Sequence, residues 1–258
     1  MEIQPTTIKY IPGSHDSGHE LDLYLPSPSS APSKVLVFIH GGAWISDDKN
    51  DYAQIGKYFS ARGLAVAVVN YRLSGKHSPI KHPAHAEDIA QALHWLVKNA
   101  EKYHCFSDRF YVMGFSAGAN LAGLMFLDPR FKAPLNAIKG WIGIEGIYDI
   151  PSLVKTFPTY QAWFIDLAFG TQQQSWKQAS PQLLSITQKT PWLLVHSPED
   201  ELVDMPQTLK FAEHLKAGGV STNLITEIRN THYGVIRAVG SEGDPTTAAI
   251  LKFIHQNQ

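Results

Sequence analysis

Residues 109–120 read RFYVMGFSAGAN, and Ser116 stands midway between Gly114 and Gly118. The apolar run before Gly114 reads as a buried strand, and ANLAGLMFL (119–127) reads as the helix that follows. A chain that turns so abruptly from strand to helix has no room for side chains across the bend, and glycine removes them. A G-x-S-x-G turn of this kind exposes the serine hydroxyl and aims the next backbone N–H, that of Ala117, at a reacting carbonyl. The helix start adds a field that favours a developing anion. The motif alone is common, and a serine in a turn ordinarily does no more than turn the chain. A nucleophilic serine also requires a base, an acid that orients the base, and a second oxyanion donor.

Each of these has a candidate. HGGAW (40–44) follows an apolar strand, and Gly41 and Gly42 have no side chains to keep an anion from their N–H groups, so with Ala117 they make an oxyanion hole. An ordinary glycine turn is the bland alternative. His40 reads as a brace for that loop. VHSPEDELVD (195–204) offers Glu199, Asp200, Glu201 and Asp204. Asp200 is chosen as the acid because it follows a strand directly, whereas Asp204 resembles a helix start. Of the 12 histidines, His232 in RNTHYG lies after the last strand and before the final helix, while His214 and His255 fall on helices. Ser116, Asp200 and His232 are therefore the expected triad. Glu145 sits at a strand end, where a loop-bracing hydrogen bond is the plain reading. His77, His82 and His85 have no zinc-site spacing and read as the loop leading into a helix. No G-x-G-x-x-G or P-loop is present, so neither a metal nor a cofactor is expected.

The elements that must position these residues alternate along the chain. HELDLYLP (19–26), KVLVFIH (34–40), LAVAVVNY (64–71), RFYVM (109–113), IKGWIGIEG (138–146), PWLLVHS (191–197) and STNLITEIR (221–229) read as strands. Residues 51–63, 85–103, 119–127, 206–219 and 246–256 read as helices. Between 150 and 190 the sequence is irregular and aromatic. The pattern predicts an α/β fold: a mostly parallel central sheet with helices on both faces, in one domain over 1–258, with a small cap-like insertion at about 150–190. Trp44, Phe115, Tyr148 and Tyr233 adjoin the motifs and are the expected substrate pocket. Trp163, Phe164, Phe169 and Trp176 lie in the irregular segment, where core packing competes with a cap role.

Composition narrows the classes. The 258 residues are 44% hydrophobic, enough for a sizeable core, and carry a formal net charge of −1 with no basic run to suggest nucleic acid. A single cysteine rules out an internal disulfide. Neither a signal peptide nor a stretch of membrane-spanning length stands out, so a cytoplasmic protein with a small-molecule substrate and no membrane partner is expected. The oligomeric state is left open, with a homodimer as the assembly considered.

With the motifs assembled, the sequence resembles the α/β-hydrolase superfamily, in the HGG-bearing branch of hormone-sensitive-lipase-like esterases and arylformamidases. YRLS (71–74) and HPAHAEDIAQALHWL (82–96) are similar to that branch as well. More narrowly, IEGIYDIPSLV (144–154), DLAFG (166–170), VHSPEDELV and THYGVI resemble kynurenine formamidases. The likeness spans roughly residues 34 to 236. It implies Ser116 as nucleophile, Asp200 as acid, His232 as base, and Gly41, Gly42 and Ala117 as the oxyanion hole, without cofactor. It further implies hydrolysis of N-formyl-L-kynurenine to L-kynurenine and formate, a step of tryptophan catabolism. A short-chain carboxylesterase acting on small aryl or alkyl esters is the rival within the same chemistry, and a non-catalytic hydrolase-fold binding protein the rival outside it.

Overall fold

The β-branched apolar runs become the middle of a sheet. The computed structural model describes residues 3–258. Its strands are β1 (Thr6–Lys9), β2 (Glu20–Tyr24), β3 (Ser33–Ile39), β4 (Ala65–Val69), β5 (Cys105–Phe115), β6 (Ile138–Ile144), β7 (Trp192–Val195) and β8 (Thr222–Ile225). The helices are α1 (Ala53–Ser60), α2 (Ala84–Asn99), α3 (Ala117–Leu127), α4 (Ile150–Thr156), α5 (Asp166–Phe169), α6 (Gln173–Gln178), α7 (Met205–Ala217), α8 (His232–Ala238) and α9 (Pro245–Gln256). The sheet order is β1-β2-β4-β3-β5-β6-β7-β8. β1 and β2 run antiparallel to their neighbours, and every pair from β4-β3 onward is parallel. This is the α/β-hydrolase fold.

Both faces of the sheet are covered, as buried β-branched strands require. Leu36 and Phe38 of β3 face a core shared with Ile55 and Phe59 of α1 and with Ile250 and Phe253 of α9. Val35, Val37 and Ile39 face the other way, toward Leu93 of α2, Leu124 of α3 and Phe211 of α7. Every residue of α3 is buried, so this helix has no polar stripe and is held on all sides.

The structure departs from the sequence expectation in a few elements. β1 was not foreseen. β5 begins earlier and ends later than RFYVM. β8 stops at Ile225, and a short helix, α8, intervenes before the final one. The irregular segment between β6 and β7 holds α4, α5, α6 and one π-helical turn at Gln161–Ile165. Among the described residues no helix is long and apolar enough to cross a membrane.

Candidate active site

Four loops meet at the carboxyl ends of the parallel strands, where ligands bind in sheets of this kind. Ser116 occupies the turn from β5 to α3, with φ 53° and ψ −116°. That conformation is strained by roughly 1–3 kcal/mol for a residue other than glycine and persists only where the surroundings enforce it. They do so here. The Ser116 N–H donates to the Ile144 carbonyl at 2.9 Å, and its own carbonyl accepts from Ala119 at 3.0 Å. A Cβ on Gly118 would fall 2.1 Å from the Ile39 carbonyl oxygen, so the helix can approach the end of β3 only as glycine. The nucleophile turn and the loop after β3 are thereby pressed against each other.

That loop has an unusual backbone. Gly42, Ala43 and Trp44 all have positive φ, at 84°, 51° and 60°. Its carbonyls are turned inward and held. Tyr71 donates its hydroxyl to the Gly41 oxygen at 2.8 Å, and the N–H groups of Ile45 and Ser46 both reach the Gly42 oxygen at 2.9 Å. With the carbonyls so occupied, the amides of Gly41, Gly42 and Ala117 have no acceptor among the described residues. Gly41 lies directly over the serine, since a Cβ there would come within 3.1 Å of the Ser116 Cβ. His40 braces the loop as expected: it is buried, stacks on Tyr71 at 4.5 Å, and its Nδ1 lies 3.1 Å from the Gly41 oxygen. Burial lowers its pKa and keeps it neutral.

Asp200 lies in the loop after β7. One carboxylate oxygen accepts from the N–H groups of Leu202 and Val203, at 2.8 and 2.9 Å. The other is 2.7 Å from His232 Nδ1. Burial alone would push the Asp200 pKa up, but His232, the neighbouring Glu145 carboxyl and the loop backbone outweigh it and hold the carboxyl below its usual range. His232 opens α8 and is fixed from three sides: Asp200, the Glu201 carboxylate that accepts its backbone N–H at 3.0 Å, and the Phe115 ring at 4.8 Å. The Nδ1–Asp200 contact leaves Nε2 as the ring nitrogen available to exchange a proton. Asp204 is instead the N-cap position of α7, 3.4 Å from the Thr156 hydroxyl and remote from this contact.

Ser116 and His232 open on one cavity of about 200 Å³. Its wall is apolar: Ala43, Ile45, Ile147, Tyr160, Trp163, Phe164, Leu202 and Val203, with Ser46 and Tyr233 adding hydroxyls. Of the four pocket residues expected from sequence, Tyr233 is on this wall and the other three are corrected. Trp44 is fully buried and packs edge-on against Phe169 at 4.7 Å, because its left-handed backbone turns the indole inward. Phe115 lies beneath His232 and not beside the cavity. Tyr148 stacks on Phe211 of α7 at 4.1 Å. Among the wall residues that sequence reasoning missed, Ala43, Ile45 and Ser46 follow β3, Leu202 and Val203 follow Asp200, and Ile147 and Tyr160 come from the segment after β6, as do Trp163 and Phe164; the aromatic density of that last segment was the available signal. Trp163 is the exposed member, at 55%, while Phe169 and Trp176 are core.

The histidines of the 77–85 segment hold no ligand geometry. His85 is buried with Nε2 2.9 Å from the Ser74 hydroxyl, and His82 packs on Phe169. The one group of three close ligating atoms among the described residues is Glu145, His196 and Asp200.

The chain is similar to known hydrolases. The BD-FAE family model matches residues 21–215. The kynurenine formamidase of Meyerozyma guilliermondii is 34% identical over 80% of this chain and 75% of its own. A probable isoprenylcysteine alpha-carbonyl methylesterase of Arabidopsis thaliana is 28% identical over 83% of this chain, which spans only 48% of that protein. Among solved structures, a truncated carbohydrate esterase from gut microbiota superposes with a TM-score of 0.82 at 19% identity, covering 99% of this chain and 97% of its own.

Proposed function

The chain belongs to the BD-FAE family of α/β hydrolases, and on that footing we propose that it is a serine hydrolase cleaving the formamide of N-formyl-L-kynurenine to L-kynurenine and formate. The observation that carries this reading is the small apolar, aromatic-walled cavity onto which Ser116 and His232 open. An aryl group fits such a wall, and the formyl group is the smallest acyl group a site can take. The kynurenine formamidase relative supports the same substrate.

In the proposed reaction His232 Nε2 takes the Ser116 proton as Oγ attacks the formyl carbon. The amides of Gly41, Gly42 and Ala117 receive the oxyanion. The loop that carries the two glycines is preorganised, because the Gly41 and Gly42 carbonyls are already bonded elsewhere, and each such donor is worth about 3–4 kcal/mol in the transition state. Asp200 holds the imidazolium that forms. His232 then gives its proton to the leaving arylamine nitrogen as the C–N bond breaks. Water, deprotonated by His232, attacks the formyl ester, and the proton returns to Ser116 as formate leaves. The aromatic wall orients the aryl group so that the formyl carbon meets Oγ, which is catalysis by positioning.

A second reading, a short-chain carboxylesterase, is favoured by one feature. The cavity wall carries no charged side chain to hold the amino-acid head of a formylkynurenine. Comparing kcat/KM for N-formylkynurenine, 4-nitrophenyl acetate and 4-nitrophenyl butyrate separates the two. The formamide is expected to be best, with the acetate above the butyrate, since each of the two added methylenes costs a closed pocket roughly 1–3 kcal/mol. An inert formamide with butyrate as the best substrate would establish the esterase.

A further inference from the structure

A second carboxyl group is buried against the triad's acid. Glu145, at the end of β6, is wholly excluded from solvent and held at φ 49°. One of its oxygens accepts the Ser197 N–H at 2.9 Å. The other, Oε2, has no hydrogen-bond partner of the ordinary kind. It lies 3.3 Å from His196 Nε2, and ligating atoms of Glu145, His196 and Asp200 all fall within 4.8 Å of one another.

His196 does not supply the missing partner. Its Nε2 lies 3.1 Å from the Val203 carbonyl, which can only accept, so the ring hydrogen is committed there. Its Nδ1 then accepts from the Thr208 hydroxyl at 2.7 Å. Burial keeps this imidazole neutral. The other titratable groups facing Glu145 are Asp200 and Glu201 in the loop after β7, His232 beyond Asp200, and the Tyr148 hydroxyl from its own segment. The charges of Asp200 and Glu201 are both negative and disfavour a third. An anion at Glu145 would be buried with one donor and no cation, an expensive state. Asp200 is differently placed, with two backbone N–H groups on one oxygen and His232 on the other. Two carboxyls at this separation do not both ionise, and the better-solvated one keeps the charge. Burial first, and then Asp200, accordingly raise the Glu145 pKa far above the carboxylate range.

We propose that Glu145 is a positioning residue: it stays protonated and directs its carboxyl hydrogen at Asp200, so that the buried pair carries one negative charge and Asp200 is held facing His232. This rests on the serine-hydrolase reading of Ser116, Asp200 and His232. It sets Glu145 behind Asp200 and His232, so that the buried hydrogen-bonded chain runs from Glu145 to Asp200 to His232.

The test is the pH dependence of Ser116 labelling by a fluorophosphonate, which needs no knowledge of the natural substrate. Glu145→Gln puts a neutral amide of the same shape in place of the neutral acid. Its oxygen must face the Ser197 N–H, which leaves the NH2 to donate to Asp200. Glu145→Ala removes both contacts. The alanine variant is expected to label about tenfold slower or worse, and the glutamine variant to recover most of that loss. The acid limb of the glutamine variant should stay within about 0.3 pH unit of wild type, because neither form adds a charge beside His232. A limb displaced by about one unit to lower pH would mean that Glu145 had been an anion stabilising the imidazolium, and would overturn the proposal. So would an alanine variant that labels like wild type. If alanine fails to fold, the glutamine limb alone decides. Wild-type protein that takes no label overturns the serine-hydrolase reading and the inference with it, whereas labelled wild type with a displaced limb overturns the inference alone.

Discussion

Replacing Asp200 by asparagine changes one oxygen for an NH2, and the structure dictates where that NH2 goes. Two backbone N–H groups, from Leu202 and Val203, point at one carboxylate oxygen from 2.8 and 2.9 Å. An NH2 there would set donor against donor twice, so the amide oxygen takes that place and the NH2 faces His232 Nδ1 across the 2.7 Å contact. Nδ1 must then accept, the ring hydrogen moves to Nε2, and His232 presents a donor where a base is required. The lost tautomer and the lost stabilisation of the imidazolium together are worth about 10⁴ in kcat, or about 5 kcal/mol. The fold should persist, because the side chain keeps its size and both backbone bonds. The assay is kcat/KM on 4-nitrophenyl acetate beside the thermal midpoint, with Asp204→Asn as control. Asp204 makes no side-chain cap bond at α7, and its substitution should stay within about threefold of wild type. Activity of Asp200→Asn within tenfold of wild type, or a large loss confined to Asp204→Asn, refutes the assignment of the acid.

Two further outcomes follow from named contacts. Gly42→Ala places a Cβ 2.2 Å from the Ser46 carbonyl oxygen at φ 84°; beyond about 1–2 kcal/mol of backbone strain, the loop must open, and kcat should fall roughly 10²–10³-fold, so an unchanged kcat would remove this loop from the oxyanion site. Acid should weaken the fold through His82 and His85, whose pKa values burial lowers from 6.5 to about 4 and about 3: both stay neutral in the fold but charge in the unfolded chain, so their stabilisation is complete above pH 6.5 and shrinks as pH falls toward 4, by about 2 kcal/mol each at pH 5. The urea midpoint should drop between pH 7 and 5, less so in His82→Phe, whose ring loses no hydrogen bond; a midpoint that ignores pH in this range contradicts the assignment.

The sequence was most legible where one physical signal dominates. β3 and β4 are apolar on both faces, and a period-independent run of that kind has few readings other than a central strand. The meeting of Asp200 with His232, and of Ser116 with His232 on one cavity, was legible because each of the three follows a strand. β1 was not, because its four residues TTIK bury only Ile8 and carry no clear period. α8 was missed although Thr231 caps it, its hydroxyl accepting from the Gly234 N–H at 3.2 Å; the helix is too short to show a repeat. The cavity wall was misread for a backbone reason. Ala43 and Trp44 adopt left-handed φ without being glycine, and that turns Trp44 inward where its position beside HGG suggested outward. Glu145 was read as bracing a loop, and it does accept the Ser197 N–H, but its nearness to Asp200 depends on how the ends of β6 and β7 align, which no spacing within the chain encodes.

Part of the cavity wall comes from a stretch of chain that carries none of the proposed reacting groups. Ser116 follows β5, Asp200 lies in the loop after β7 and His232 opens α8 beyond β8, while Ile147, Tyr160, Trp163 and Phe164 come from the single crossing between β6 and β7. Heredity can therefore treat the two separately. A recombination or a short insertion confined to that crossing replaces part of the cavity wall and leaves the residues that follow β5, β7 and β8 in place. For an engineer the same partition sets the library: randomise 147 to 164, leave the strand ends alone, and select on the leaving group.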